Sequence, residues 1–179
     1  MKKNEFISTK KMIYMALCIA LNIIFVRFLS VQTPILRFDF GFIPIFASSV
    51  LCGPLLGGIT GALSDVLGML VNSKGLSYFF PYTINAFLYG YIYGLFFYKK
   101  KHTFKKTVIC VLLEMIFINI ALSSVWAYLF MKYVMGNTKA FGIIFMQRVT
   151  LALPLTVVRT AGIEIMNKYV LRYFDGEKI

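Results

Sequence analysis

Six apolar stretches separated by short polar breaks organise this chain. A bilayer's hydrocarbon core takes about 20 helical residues, and each stretch is read as a span on that scale. The pattern predicts helices over about 11–29, 40–51, 55–71, 80–98, 107–135 and 139–173. The breaks carry the residues that end helices: Pro34 in the 30–39 loop, Cys52-Gly53-Pro54, Asn72-Ser73-Lys74-Gly75, the lysine-rich 99–106 loop and Gly136-Asn137-Thr138. Glycine suits the end of one helix and proline the first turn of the next. The second helix is short and is expected to be distorted at Pro44. The sixth is expected to kink at Pro154, where an N–H is missing and the ring meets the preceding turn. The fifth and sixth exceed one bilayer thickness and should tilt, kink or protrude.

Composition agrees with this pattern. The chain is 59% hydrophobic with a mean hydropathy of +0.77, too apolar for an ordinary soluble domain. The spans leave residues only for loops and tails, so 1–179 is read as a single integral membrane domain. The first apolar run is read as a retained helix, because it is long and no small-residue cleavage site follows. Cys18, Cys52 and Cys110 are far apart, with no metal-ligand spacing. No metal or cofactor is expected. His102 lies among lysines and is expected to be solvated.

A net charge of +12 raises the question of nucleic acid, and its distribution answers it. With the N-terminus inside, twelve of nineteen basic residues fall on the inner side: Lys2, Lys3, Lys10, Lys11, the lysines of 99–106, Lys168, Arg172 and Lys178. Arg37, Lys74, Lys132 and Lys139 fall outside. That bias places both termini in the cytoplasm. The basic loop then sets topology and meets anionic lipid, and no nucleic acid is expected as a partner.

Arg27, Arg148 and Arg159 lie inside the apolar runs. A permanent cation at mid-membrane costs roughly 2.5–3.5 kcal/mol on insertion scales, so such residues face a bundle interior or a cavity. Arg148 and Arg159 are eleven residues apart, almost three helical turns, and share a face about 16 Å long. Ala152 and Leu155 share it, so the arginines would flank an apolar wall suited to an elongated amphipathic anion. Each arginine also has an alternative as the partner of a protein acid. Glu114 and Glu164 fall at the depth of Arg159, and an Arg159–Glu114 pair is one such expectation. Arg148 has no acid at its depth and is favoured as the anion ligand. Asp65 could accept two hydrogen bonds from an amidine-like edge, or pair with an arginine. Asn85, Gln147 and Trp126 could supply hydrogen bonds and stacking, or serve as helix contacts. The 29–45 loop reads either as an interfacial connector or as a lid over a site open to the outside. Small residues spaced by four (Ala16 and Ala20, Gly57 and Gly61, Gly58 and Ala62, Gly90 and Gly94) allow close helix approach. Those of the third and fourth helices are expected to pack within the bundle. No phosphate-binding loop, H-E-x-x-H or G-x-S-x-G motif occurs.

The run Arg27-Phe28-Leu29-Ser30-Val31-Gln32-Thr33-Pro34-Ile35-Leu36-Arg37 with Gly41-Phe42-Ile43-Pro44-Ile45 closely resembles the folate-type substrate-binding subunits (S components) of energy-coupling factor (ECF) transporters. So do Gly53-Pro54-Leu55-Leu56-Gly57-Gly58 with Gly61, Ala62 and Asp65, and Gln147-Arg148-Val149. Asp39 departs from the pattern and could pair with Arg37. The resemblance implies an all-α bundle of six transmembrane helices, multi-pass in a bacterial cell membrane and surrounded by its lipid. It implies folate or a related vitamin as ligand, with Arg27, Gln32, Arg37 and Phe38 as candidate contacts from the first segment. Further candidates are Asp65, Tyr82, Asn85 and Trp126, then Gln147, Arg148 and Arg159. It implies a transmembrane coupling subunit and two cytoplasmic ATPases as partners, with Ala16 and Ala20 as an A-x-x-x-A docking strip. No catalysis is expected of the chain itself. The alternatives are an S component for another vitamin or precursor, an intramembrane enzyme using Asp65 and Glu114, and a scaffold without ligand.

Overall fold

The computed structural model of the chain describes residues 8–32, 37–73, 75, 77–134, 136 and 141–171, and side chains within these except 31, 32, 37, 38, 170 and 171. The protein is helical. Helix α1 (Thr9–Ile23) continues into a π segment, Ile24–Phe28. A two-residue antiparallel ladder follows, β1 (Val31–Gln32) on β2 (Arg37–Phe38). Then come α2 (Phe42–Cys52), α3 (Pro54–Val71) and α4 (Phe80–Phe97). Helix α5 (Phe104–Glu114), a second π segment (Met115–Leu122) and α6 (Ser123–Tyr133) form one continuous rod. The last rod is α7 (Phe141–Met166) with a terminal π segment, Asn167–Leu171.

Among the described residues, four helical rods are long and apolar enough to cross a membrane: Thr9–Phe28, Pro54–Val71, Phe104–Tyr133 and Phe141–Tyr169. Two of the six stretches read as spans fall short of this measure among the described residues. Helix α2 has 11 residues, about 16 Å of rise against a core of about 30 Å. Helix α4 has the length, but Thr83, Asn85 and its tyrosines dilute its apolar character.

Pro44 does not distort α2. It occupies the first turn, where the amide it lacks would have had no helical acceptor. Gly53 separates α2 from α3 at φ 103°, a left-handed conformation that side chains disfavour, and Pro54 opens α3. Helix α7 runs through Pro154 without interruption.

Helices α3 and α4 pack backbone to backbone. A methyl group at Gly61 would collide with the Ala86 carbonyl, and one at Gly90 with the Gly57 carbonyl. The small residues of these helices therefore pack inside the bundle, as expected. A core of Phe46, Tyr93, Phe97, Cys110, Val111, Met115 and Ile163 joins α2, α4, α5 and α7. Phe46 meets Tyr93 edge-on at 5.5 Å. His102 is not the solvated residue expected from its neighbours. It stacks on Phe97 at 5.2 Å, meets Thr107 Oγ1 at 3.0 Å and lies 3.7 Å from Glu164. The ring of Phe97, at the end of α4, supplies the face on which the imidazole lies.

Candidate functional site: a polar cavity among the helices

A cavity of about 180 Å³ opens between α1, α3, α4, the rod from α5 to α6, and α7. Its polar wall is built from residues that interrupt apolar runs. Arg27 sits in the π segment of α1 and is 1% exposed. One extra residue per turn re-aims side chains, and such segments are frequent at functional sites. The guanidinium lies 3.5 Å from Asp65 Oδ1 and donates to the Asp65 carbonyl oxygen at 3.2 Å. It passes over Gly68, where a methyl group would stand 2.7 Å from Arg27 Nε. Asp65 Oδ2 accepts from Thr83 Oγ1 at 2.8 Å, and Thr83 meets Tyr78 at 2.9 Å. Of the two roles weighed from sequence, the structure shows Asp65 as an arginine's partner, and it also lines the cavity.

Two residues of α7 reach the same cavity. Arg159 forms an ion pair with Glu114, as expected from their depth, and Tyr93 donates to the other carboxylate oxygen. The Arg159 guanidinium lies over Phe42 and Tyr89, 5.6 and 5.0 Å from their ring centres. Arg148 donates to the Asn119 carbonyl oxygen at 3.5 Å. Glu164, the other acid placed near Arg159, faces His102 instead.

The remaining wall is aromatic and amide. Phe79, Tyr82 and Phe130 pack edge to face, with centroids 5.5–6.3 Å apart. Tyr82, Asn85 and Tyr89 line the cavity from one face of α4, at spacings of three and four residues. Asn85 donates to Ser123 Oγ at 2.8 Å and accepts from Trp126 Nε1 at 3.2 Å. The floor is pinned by Asn22, whose amide donates to the Gly41 carbonyl at 2.7 Å, while Asp39 accepts from the Gly41 amide at 2.8 Å.

Six of the eleven candidate contacts thus meet at one cavity: Arg27, Asp65, Tyr82, Asn85, Arg148 and Arg159. Trp126 stands behind Asn85, and Gln147 is exposed on α7. The side chains of Gln32, Arg37 and Phe38 lie outside the described ones. Ala16 and Ala20 are exposed along α1, while its buried positions are Cys18 and Asn22. Asn22, Tyr89, Asn119 and Ser123 also line the cavity and were not singled out from sequence. Polar residues inside apolar runs, and the 82–85–89 spacing, were the available signals.

Residues 6–169 match the family described as ECF-type riboflavin transporter, S component. The folate transporter FolT of Clostridium novyi is 41% identical over 167 residues, which cover 88% of this chain and 93% of that protein. FolT of Leuconostoc mesenteroides is 29% identical over 121 residues, covering 67% of this chain and 64% of that protein. A crystal structure of FolT bound with folic acid superposes with a TM-score of 0.80 at 33% identity, over 90% of this chain and 95% of that one.

Proposed function

Because this chain belongs to the S-component family of ECF-type transporters, whose members are transport subunits and not enzymes, we propose that it captures folate outside the cell and delivers it to an ATP-driven module. The observation that carries the reading is the convergence of Asp65, Arg148 and Arg159 on one cavity among apolar helices. Folate is a flat heterocycle with an amidine edge, joined to a glutamate with two carboxylates. Asp65 suits the amidine edge, the aromatic wall of Phe79, Tyr82 and Phe130 suits a flat ring, and Arg148 suits a carboxylate. The FolT structure with folic acid supports folate as the ligand by its similarity over most of the chain.

In this reading the chain is one membrane unit with six spans, both termini in the cytoplasm of a bacterium. A transmembrane coupling subunit docks along Ala16 and Ala20, and two cytoplasmic ATPases drive the subunit to topple with its vitamin. A second reading has one observation in its favour: the matching family model is named for riboflavin. Riboflavin carries no carboxylate, so it gives Arg148 no anion to meet. Calorimetric titration of the purified chain with each vitamin separates the two. Folic acid should saturate it at one ligand per chain without turnover. Tighter binding of riboflavin overturns the folate reading.

A further inference from the structure

Trp126 is the chain's one tryptophan, half-buried on α6. It does not line the cavity, yet its indole N–H donates to Asn85, which does. Indole nitrogen is a donor only. It can be satisfied only if Asn85 turns its oxygen toward Trp126. The amide's two ends have nearly the same shape, so this one contact decides which faces where. The nitrogen end then meets Ser123, whose hydroxyl accepts at 2.8 Å. A hydroxyl that accepts keeps its own proton to donate, and the amide keeps a second N–H. Asn85 is buried at 4% exposure and Ser123 at 5%, so neither proton is spent on bulk water.

The chemistry beside this pair has the opposite sign. Thr83 lies two residues before Asn85 on α4 and holds Asp65. Asp65, Asn85 and Ser123 all line the cavity, so it offers a carboxylate acceptor and a set of amide and hydroxyl donors. A heterocycle whose ring carbonyl adjoins its amidine N–H groups presents the complement of that order.

We propose that Trp126 is a positioning residue: it locks the Asn85 amide so that Asn85 and Ser123 form a donor edge that reads the ring carbonyl of the bound heterocycle. The proposal rests on the vitamin reading of the cavity. Trp126→Phe keeps a ring in place and removes the N–H, so the amide is free to turn its oxygen inward. Ser123→Ala removes one donor and leaves Trp126 untouched.

The test is equilibrium binding of folic acid and of its 4-amino analogue, in which the ring carbonyl is replaced by an amino donor, to the purified full chain. The thermal midpoint of the ligand-free protein is read alongside. Loss of one neutral hydrogen bond is about 0.5–1.5 kcal/mol, so Trp126→Phe should weaken folic acid about three- to tenfold. The 4-amino analogue should lose less, and the affinity ratio should move toward it. Ser123→Ala should move the ratio the same way, and it carries the test if Trp126→Phe does not fold. The ligand-free midpoint of the folded variants should stay nearly unchanged. Parallel losses for both ligands, or an unchanged ratio, overturn the positioning role while leaving the vitamin reading intact. Wild-type protein that binds no folic acid overturns the vitamin reading, and this proposal with it.

Discussion

Arg159 of α7 and Glu114 at the end of α5 form an ion pair in which the carboxylate is fully shielded from solvent. Tyr93 donates to the same carboxylate, and Tyr89 and Phe42 flank the guanidinium. The pair ties the α5–α6 rod and α7 to α4 at the cavity wall, where Arg159 is a lining residue. It also divides labour between the two α7 arginines, since the charge of Arg159 is met by a protein acid.

Removing one partner of a buried pair leaves an uncompensated charge and costs about 3–5 kcal/mol, whereas removing both together costs far less. Glu114→Leu should therefore lower the thermal midpoint of the ligand-free protein more than Glu114→Leu with Arg159→Met. Thermal melts of purified single and double variants check this. Equal midpoints would show that the pair does not hold α7 in place.

The α3–α4 seam predicts a sharp contrast among glycines. A methyl group at Gly90 meets backbone of Gly57, which cannot turn aside, so the helices must part. They carry Asp65 and Asn85 to the cavity. Gly90→Ala should lower both stability and folic acid affinity. Gly142→Ala on α7 has open space around the new methyl group and should change neither. Melts and binding isotherms of the two variants side by side give the answer.

The helix boundaries were legible because punctuation fixes them. Pro54 and Val71 bound α3, and Phe80 and Phe97 bound α4, each within a residue of the positions read from the apolar pattern. The π segments were not legible, since hydrogen-bond register along a rod such as Met115–Leu122 leaves no mark in residue type. Four of the five charged residues that line the cavity were legible for one reason: Arg27, Asp65, Arg148 and Arg159 are expensive in apolar helices unless they face one another or a ligand. Gln147 was singled out as a polar residue in an apolar run and as part of the Gln147-Arg148-Val149 segment; neighbours in a helix point about 100° apart, and it is exposed where Arg148 lines the cavity. Ser123 and Asn119 escaped notice because a small polar residue in a helix is as common at a plain helix contact as at a site.

Arg148 should be the residue that reads the ligand's negative charge. It lines the cavity from α7, and a charge-assisted hydrogen bond there contributes roughly 1.5–3 kcal/mol. Arg148→Ala should weaken folic acid by more than about tenfold on that scale. Pteroate lacks the glutamate and should be less affected. Equal losses for the two ligands would move Arg148 to the ring end of the site.

Binding and transport should separate at Ala16 and Ala20. Both are exposed on α1, whereas the helix turns Cys18, Asn22, Val26 and Arg27 inward. Four-residue spacing stacks the two alanines into a smooth strip that another helix can approach closely. Within the chain, Gly57, Gly61 and Gly90 make close approaches between α3 and its neighbours. Large side chains on the α1 strip would hold a partner away without reaching the cavity. Ala16→Trp with Ala20→Trp should leave folic acid affinity and the thermal midpoint of the purified chain nearly unchanged. Uptake by cells, and co-purification with the coupling subunit and its ATPases, should fall sharply. If stability and affinity fall together, the alanines pack inside the bundle after all; if uptake stays normal, docking lies on another face.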